Sequence, residues 1–167
     1  ALYAIRNLTT EEAVMPENAG VRYVCGNPAH GMAARFLEDK TISESGSEQA
    51  WSGTLALSSV SKGAEPLGLK TGEVMAEGQH LSRQVCRGVV EKYENRADGM
   101  EHSFVISRRP LGDDQSPLTL RLNLGGGLSA RAPHAAEPGK KRETQSGAEG
   151  KGPDEHLEFL SSDGRTV

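Results

Sequence analysis

The sequence predicts an all-β fold, an antiparallel β-sandwich-like domain with short strands and one long flexible loop. Leu118, Leu120, Leu122 and Leu124 alternate with polar residues, and this period of two places the four leucines on one face of a strand. The 20 Gly and 8 Pro residues interrupt the chain often, which favours short strands and many turns over long helices. A chain of 167 residues is long enough to bury one core.

The composition divides the chain into a core and an appendage within a single domain, which we expect to span residues 1–167. The core is predicted at about residues 21–130, where the apolar runs lie. Residues 131–155 are mainly Ala, Pro, Gly, Lys and Glu, so we expect a flexible insertion there. Strand character returns at His156–Leu160, and residues 156–167 form the predicted C-terminal strand segment.

The first half of the chain predicts one helical turn and three strands. Thr9 is a good N-cap residue, and the acidic residues that follow it favour a short helix that Pro16 ends. Strands are predicted at residues 21–25, 31–37 and 53–60, with a turn at residues 38–41. Trp51 is the only Trp in the chain, and we expect it to anchor the core just before the third strand.

The second half predicts further strands at the spacing of a sandwich. They are expected at residues 67–69, 73–77, 81–86, 89–94, 102–108 and 118–124. The connection Asn95–Gly99 contains Asn, Asp and Gly, which tolerate positive φ, so the strands on either side of it should form a hairpin. Pro110 ends this hairpin because it lacks the N–H that a sheet ladder needs.

Charge and hydrophobicity exclude two classes of partner. The formal net charge is -4 and the isoelectric point is near 5.8, whereas a nucleic-acid partner calls for clustered Lys and Arg in excess. The basic run Lys140–Arg142 is followed by Glu143 and is interpreted as a solvated loop. No stretch approaches the roughly 20 apolar residues that span a bilayer, so no membrane insertion is expected.

The two cysteines, Cys25 and Cys86, are too few and too far apart for a zinc site built from paired C-x-x-C motifs. One interpretation is a disulfide, which would close a loop of about 60 residues and stabilise the fold by about 4 kcal/mol in the chain-entropy account. The alternative is a pair of buried free thiols. Export of the protein would favour the disulfide.

The sequence offers no pattern that calls for catalysis, a cofactor or a metal. The five histidines are dispersed, and no two of them have the i, i+4 spacing of a helical zinc site. There is no G-x-S-x-G nucleophile motif. Gly125–Gly127 lacks the following residues of a phosphate-binding loop, and Asp113–Asp114 lacks the spacing of a calcium loop. We interpret these segments as a strand end and a turn.

Four segments carry a resemblance to a known family. They are Trp51 with the strand after it, Val89–Asn95, Asp98–Phe104 and Arg109–Pro110. Together they resemble a β-rich domain of secreted bacterial proteins that often precedes FG-GAP or similar β-propeller repeats. The family pattern reads E-W-Y-x-N, then G-L-E-Q-x-F, then R-P before a leucine-alternating strand.

This chain departs from that pattern at three positions. Lys92 stands where the family has Trp, and Met100 and His102 stand where it has Leu and Gln. The resemblance covers residues 32–130, and the chain contains no FG-GAP repeats. It implies an extracellular or cell-surface structural or adhesive module, and it transfers no catalytic residues.

These observations predict a non-enzymatic extracellular or cell-surface structural protein, in one version a subunit of a filament or surface assembly joined through strand edges. The apolar patch Leu2, Tyr3, Ala4 and Ile5 is the expected assembly strand, donated to a copy of the chain or to a neighbouring surface protein. The alternative is that this patch pairs within its own sheet. The chain begins at Ala1 without Met, which fits a processed, exported protein.

Two other functions stay open at this point. A secreted carbohydrate-binding or adhesive module would stack glycans on Trp51 and Tyr93, although aromatic residues make up only 4% of the chain. A secreted hydrolase ranks third because no nucleophile or acid pair stands out. Fluorescence quenching of Trp51 by soluble glycans would favour the first of these functions.

Overall fold

Antiparallel β-strands make up most of the residues described by a computed structural model, which covers residues 2–46, 51–70, 72–110, 115–131, 158–164 and 166. The strands are β1 Arg6–Asn7, β2 Tyr23–Asn27, β3 Met32–Phe36, β4 Thr41–Ser45, β5 Ser52–Lys62, β6 Glu65–Leu67, β7 Val74–Glu77, β8 His80–Cys86, β9 Val89–Arg96, β10 Gly99–Ile106, β11 Leu118–Gly126, β12 Ser129–Arg131 and β13 Glu158–Leu160. The prediction of an all-β fold is confirmed.

The strands form three sheets. The larger sheet has the order β1-β2-β3-β4-β5-β11, and β6 also pairs with β5. The smaller sheet has the order β10-β9-β8-β7, and β12 pairs with β13 in a two-stranded ribbon. Every described pairing is antiparallel, so short turns can join most successive strands.

One short helix, α1 at Thr10–Ala13, precedes a 3₁₀ turn at Pro16–Asn18. The Thr9 hydroxyl accepts a hydrogen bond from the Glu12 amide, and the Glu12 carboxylate accepts one from the Thr9 amide at 2.8 Å. This capping box satisfies two of the amides that a helix start leaves without a partner. The predicted N-cap at Thr9 is therefore confirmed.

The two main sheets pack face to face over two groups of buried side chains. The first group joins Ile5, Cys25, Ala34 and Phe36 of the larger sheet and the segment before it to Leu81 and Tyr93 of the smaller sheet. The second group joins Leu57 and Val60 of the larger sheet to Val85, Cys86 and Val89 of the smaller sheet. Each group contains side chains from both sheets, as in a sandwich.

A buried pair of amides ties the sheets together beside the first group. Asn27 at the end of β2 donates from Nδ2 to Oδ1 of Asn95 on β9, at 2.9 Å. Asn95 in turn donates from its own Nδ2 to the carbonyls of Gly26 and Tyr3, at 2.9 and 3.0 Å. The pair thereby fixes the N-terminal segment and the ends of β2 and β9 to one another.

The two cysteines do not form the disulfide that was one interpretation of the sequence. Cys25 and Cys86 are both free and buried, and they belong to the two separate groups of core side chains. Burial raises the pKa of the Cys25 thiol to about 11, against a smaller opposing effect of a hydrogen bond with the Ala34 backbone. Burial also raises the pKa of Cys86. Both thiols are neutral core side chains near neutral pH.

Several predicted strand boundaries need correction. The segment 41–45, which begins inside the predicted turn at 38–41, is the full strand β4, and residues 68–70 after β6 are not in a strand. The hairpin of β9 and β10 is tighter than predicted, because pairing extends to Arg96 and Gly99 and leaves Ala97–Asp98 as the turn. The flexible insertion predicted at 131–155 lies outside the described residues except for Arg131, which ends β12.

The leucine strand β11 follows the predicted alternation. Leu118 and Leu120 pack against the second core group, and Leu124 is half-buried. Leu122 is 41% exposed because β11 lies at the edge of the larger sheet. A register shift between Arg121 and Leu122 leaves Ser58 of β5 outside the pairing, and its hydroxyl donates to the Arg121 carbonyl at 3.0 Å.

Candidate functional site

The candidate site is a group of polar side chains buried between the two main sheets, which we call the Glu91 cluster: Arg83, Glu91, Tyr93 and His102. Glu91 lies on β9, between two strands of the smaller sheet, and its side chain is completely buried. The alternation of β9 directs Glu91 and Tyr93 to the same inner face. A carboxylate thereby enters the core, where a charge is stable only with partners.

Glu91 has partners for both of its carboxylate oxygens. Arg83 of β8 donates from Nε to Oε2 at 2.8 Å, and its Nη2 lies 2.6 Å from the same oxygen. Nε2 of His102 on β10 lies 2.9 Å from Oε1, to which the Tyr93 hydroxyl also donates at 3.0 Å. Arg83 donates once more, from Nη1 to the Leu37 carbonyl of the opposite sheet at 2.8 Å.

These contacts set the protonation states in the cluster. Burial by itself raises the pKa of Glu91, but the hydrogen bond from His102 and the charge of Arg83 outweigh it and hold the pKa below its ordinary value. Since an ionised carboxylate can only accept, Nε2 of His102 must carry a proton for this hydrogen bond. Burial, followed by the nearby charge of Glu91, raises the pKa of Tyr93, whose hydroxyl stays a donor.

Aromatic contacts fix the orientation of His102. His102 is directly opposite Tyr93 in the pairing of β10 with β9, and the two rings stack at a centroid distance of 4.5 Å with an interplanar angle of 8°. Phe104 also contacts the imidazole edge-on, at a centroid distance of 4.9 Å. Tyr93 also makes an edge contact with Phe36 across the sheets, at 5.2 Å. The imidazole is therefore held in one orientation.

A cavity of about 290 Å³ lies beside the cluster, between the two main sheets. We call it the inter-sheet cavity. Trp51 and residues of β3, β4, β5 and β11 line it from the larger sheet, and Tyr93, Met100 and His102 line it from the smaller one. Leu128 and Phe159 also line it. Its wall is mainly apolar, and a Cβ at Gly53 would collide with Leu128, so only glycine allows this close approach.

The two residues predicted to stack glycans are not exposed side by side on the surface. Trp51 is half-buried in the wall of the inter-sheet cavity. Tyr93 is only 3% exposed, and its ring contacts His102 and Phe36. The two rings thus do not form an exposed platform for a glycan, although both line the same cavity.

The predicted assembly strand is partly built into the core of its own chain. Ile5 is buried in the first core group, and its amide donates to the Gly78 carbonyl at 2.8 Å. The Tyr3 carbonyl accepts from Asn95, whereas Leu2 is 71% exposed. Donation of this segment to another chain would require these contacts to break.

The Glu91 cluster was not predicted from the sequence. A signal is present in the alternation of two strands, since Arg83 lies between Leu81 and Val85, and Glu91 lies between Val89 and Tyr93. A charged residue at an inward position of a strand needs a partner in the core. The two opposite charges on successive strands could therefore have been paired, whereas the contact with His102 depends on the register of β10.

The strand edges are the other candidate surface. Within the described part of the chain, β10 pairs only with β9 and leaves its other side open over eight residues, Gly99–Ile106. Val105 and Ile106 near its end are 41% and 46% exposed. The strand carries no Lys, Arg or Pro and has a regular register, and Glu101 is its only acidic residue, so it has few of the features that block edge pairing.

Other kinds of site are not evident among the residues that the structure describes. No group of three or more His, Cys, Asp or Glu side chains there could hold a metal ion. No described helix combines the length and apolar character needed to cross a membrane. Comparison with family models, curated proteins and solved structures finds no match, so the function has to be argued from the geometry.

Proposed function

We propose that the protein is a non-enzymatic β-sandwich module of the cell surface or the extracellular space that associates with copies of itself through strand β10. The observation that carries this proposal is the open edge of β10. An exposed edge presents unpaired backbone N–H and C=O groups, which bind another strand readily. The support for an extracellular location is the sequence resemblance described above.

The side chains of β10 are compatible with pairing between two copies of the strand. In an antiparallel pair centred between His102 and Ser103, Val105 would lie opposite Met100, and Ile106 would lie opposite Gly99. Glu101 is the only charged residue of β10 and would lie opposite Phe104, so no like charges meet. Such a pair has two-fold symmetry and extends the four-stranded sheet to eight strands across two chains.

The arrangement of the Glu91 cluster supports a non-enzymatic role. Both oxygens of the carboxylate are engaged by Arg83, Tyr93 and His102, and Glu91 is completely buried. A general base has to reach the proton that it removes from a substrate. Glu91 instead compensates a buried arginine, which is a structural task.

Association through β10 can be tested by light scattering during size-exclusion chromatography over a range of concentrations. The wild-type chain should show a mass that rises with concentration. Val105→Lys should remain a monomer, because a lysine on an open edge opposes strand pairing and Val105 is already exposed in the monomer.

The matched control is Leu69→Lys, which replaces an equally exposed apolar residue outside any strand. This variant should associate like the wild type. A wild-type chain that stays monomeric at every concentration would contradict the proposal. So would equal loss of association in both variants, because the effect would then come from hydrophobicity and not from the edge.

A further inference from the structure

The inter-sheet cavity has the size and chemistry of a small-molecule site. Apolar cavities of about 150 Å³ accommodate a benzene molecule, and the volume here is about 290 Å³. The space is therefore sufficient for a molecule of two fused rings. Trp51, Met100 and Leu124 supply apolar wall that such a ring would contact, and few polar groups interrupt it.

His102 gives the cavity a directional polar group. Its Nε2 proton is committed to Glu91, at 2.9 Å. Nδ1 has no hydrogen-bond partner among the described residues, and in the neutral imidazole that carries its proton on Nε2 this atom is an acceptor. Stacking on Tyr93 and the edge contact with Phe104 hold the imidazole in place, so this acceptor is fixed before a ligand arrives.

The charge balance of the cluster selects for a neutral ligand. Arg83 and Glu91 compensate each other, and His102 lies within hydrogen-bond distance of the same carboxylate. A charged ligand would lose its water in an apolar cavity and would find no free counter-charge in the cluster. A neutral ring with one N–H or O–H group would bury its apolar surface and retain its hydrogen bond.

We propose that the inter-sheet cavity binds a small neutral aromatic compound of about two fused rings that donates one hydrogen bond to Nδ1 of His102. Trp51 and Met100 contact the rings of the ligand. Association through β10 uses the open backbone edge of this strand, whereas the ligand would contact the side chains of Met100 and His102 on the same strand.

The test uses indole and benzofuran, two fused-ring probes of nearly equal shape of which only indole has an N–H donor. The chain contains a single Trp, so the Trp51 side chain gives one indole N–H signal in a nitrogen-15 correlation spectrum. Titration with indole should shift this signal until it saturates. Calorimetry should show that indole binds about three- to ten-fold more tightly than benzofuran, the effect of one hydrogen bond.

Two variants on one strand test the location. Leu124→Trp places a larger side chain in the cavity wall and should weaken indole binding by about ten-fold or more, whereas Leu122→Trp, at an exposed position of the same strand, should leave it unchanged. His102→Phe should make the affinities for indole and benzofuran equal. Comparison of the two probes on the wild-type chain needs no variant and remains decisive if His102→Phe fails to fold.

Three results would overturn the inference. The first is the absence of a saturable shift of the Trp51 signal up to the solubility limit of indole. The second is equal affinity for the two probes in the wild-type chain. The third is unchanged binding in folded Leu124→Trp.

Discussion

Glu91 is a charged residue in a place that would usually be apolar, and the residues around it explain how the fold tolerates it. Transfer of an isolated carboxylate into a protein core costs several kcal/mol even after relaxation. Arg83 supplies the opposite charge, and Tyr93 and His102 supply two further hydrogen bonds. The stabilities of the cluster's members therefore depend on one another, because each member compensates the burial of another.

Removal of one charge from the pair should destabilise the protein strongly. Glu91→Leu leaves Arg83, which is 3% exposed, without its counter-charge, and we expect the free energy of unfolding to fall by about 3–5 kcal/mol. Urea denaturation measures this change. The exposed pair of Arg22 and Glu38 provides a control, since Glu38→Leu should cost less than about 1 kcal/mol.

The double variant Arg83→Met/Glu91→Leu tests whether the two charges stabilise the fold as a pair or independently of each other. Replacing both charges with apolar side chains leaves no uncompensated charge, so the double variant should be more stable than either single variant. A loss equal to the sum of the two single losses would show that the side chains do not act as a pair.

At the scale of the elements, the sequence predicted strands from the alternation of apolar residues and from the turns that bound them. Alternation predicted β3 and β11, and bounding polar or turn residues predicted β5 and the hairpin strand β9; the structure confirms these strands. β4 was missed because its inward positions, Thr41 and Ser43, are polar and give no apolar period. Its pairing with β3 and β5 forms the strand, which local patterning does not report.

The candidate site could be predicted only in part. Opposite charges at Arg83 and Glu91 were visible at inward positions of alternating strands. The contact with His102 requires the register of β10 on β9, and the inter-sheet cavity joins residues as distant as Met32 and Phe159. Sequence spacing does not contain these distances, because they follow from how the two sheets pack.

The link between β2, β9 and the N-terminal segment gives a prediction at the same scale. Asn95→Ala removes the donor to the Tyr3 and Gly26 carbonyls and the acceptor for Asn27, inside the core. We expect a loss of about 1–3 kcal/mol in the free energy of unfolding, because buried polar groups lose their partners. Hydrogen exchange of the Ile5 amide should also become faster, since the Tyr3 anchor is lost.

Asn123→Ala is the matched control, because Asn123 is exposed on the edge strand β11. It should leave both the stability and the exchange of the Ile5 amide unchanged. If Asn95→Ala lowers stability but does not accelerate exchange at Ile5, the amide pair does not hold the N-terminal segment.

For the whole molecule, the composition explains why the core is divided and contains polar groups. With 35% hydrophobic and 4% aromatic residues, the chain has limited apolar volume to place between two sheets. The polar side chains of the Glu91 cluster fill part of the space between the sheets. The inter-sheet cavity is another part of that space, which the described side chains leave unfilled. The incomplete apolar filling of the sandwich is thus the origin of both candidate features.

The stability of the whole fold should fall at acidic pH, and the direction of this pH dependence follows from the lowered pKa of Glu91. Its pKa in the folded protein is below its ordinary value, so the unfolded chain binds a proton more readily than the folded one. The contribution of Glu91 is complete above the unfolded pKa of about 4.3. It is lost as the pH falls from there through the pKa of the folded state. Stability should therefore decrease with falling pH in this window.

Urea denaturation from about pH 7 to about pH 3 measures this dependence, and Glu91→Gln should have a shallower acid slope than the wild type. Glu12, whose pKa is lowered to about 2 by hydrogen bonds from Arg6 and the Thr9 backbone, adds to the slope in both proteins and is exposed to solvent. A carbon-13 titration of the Glu91 carboxyl in the wild-type chain needs no variant. A midpoint above about 4.3 would reverse the sign and show that burial prevails over Arg83 and His102 in this cluster.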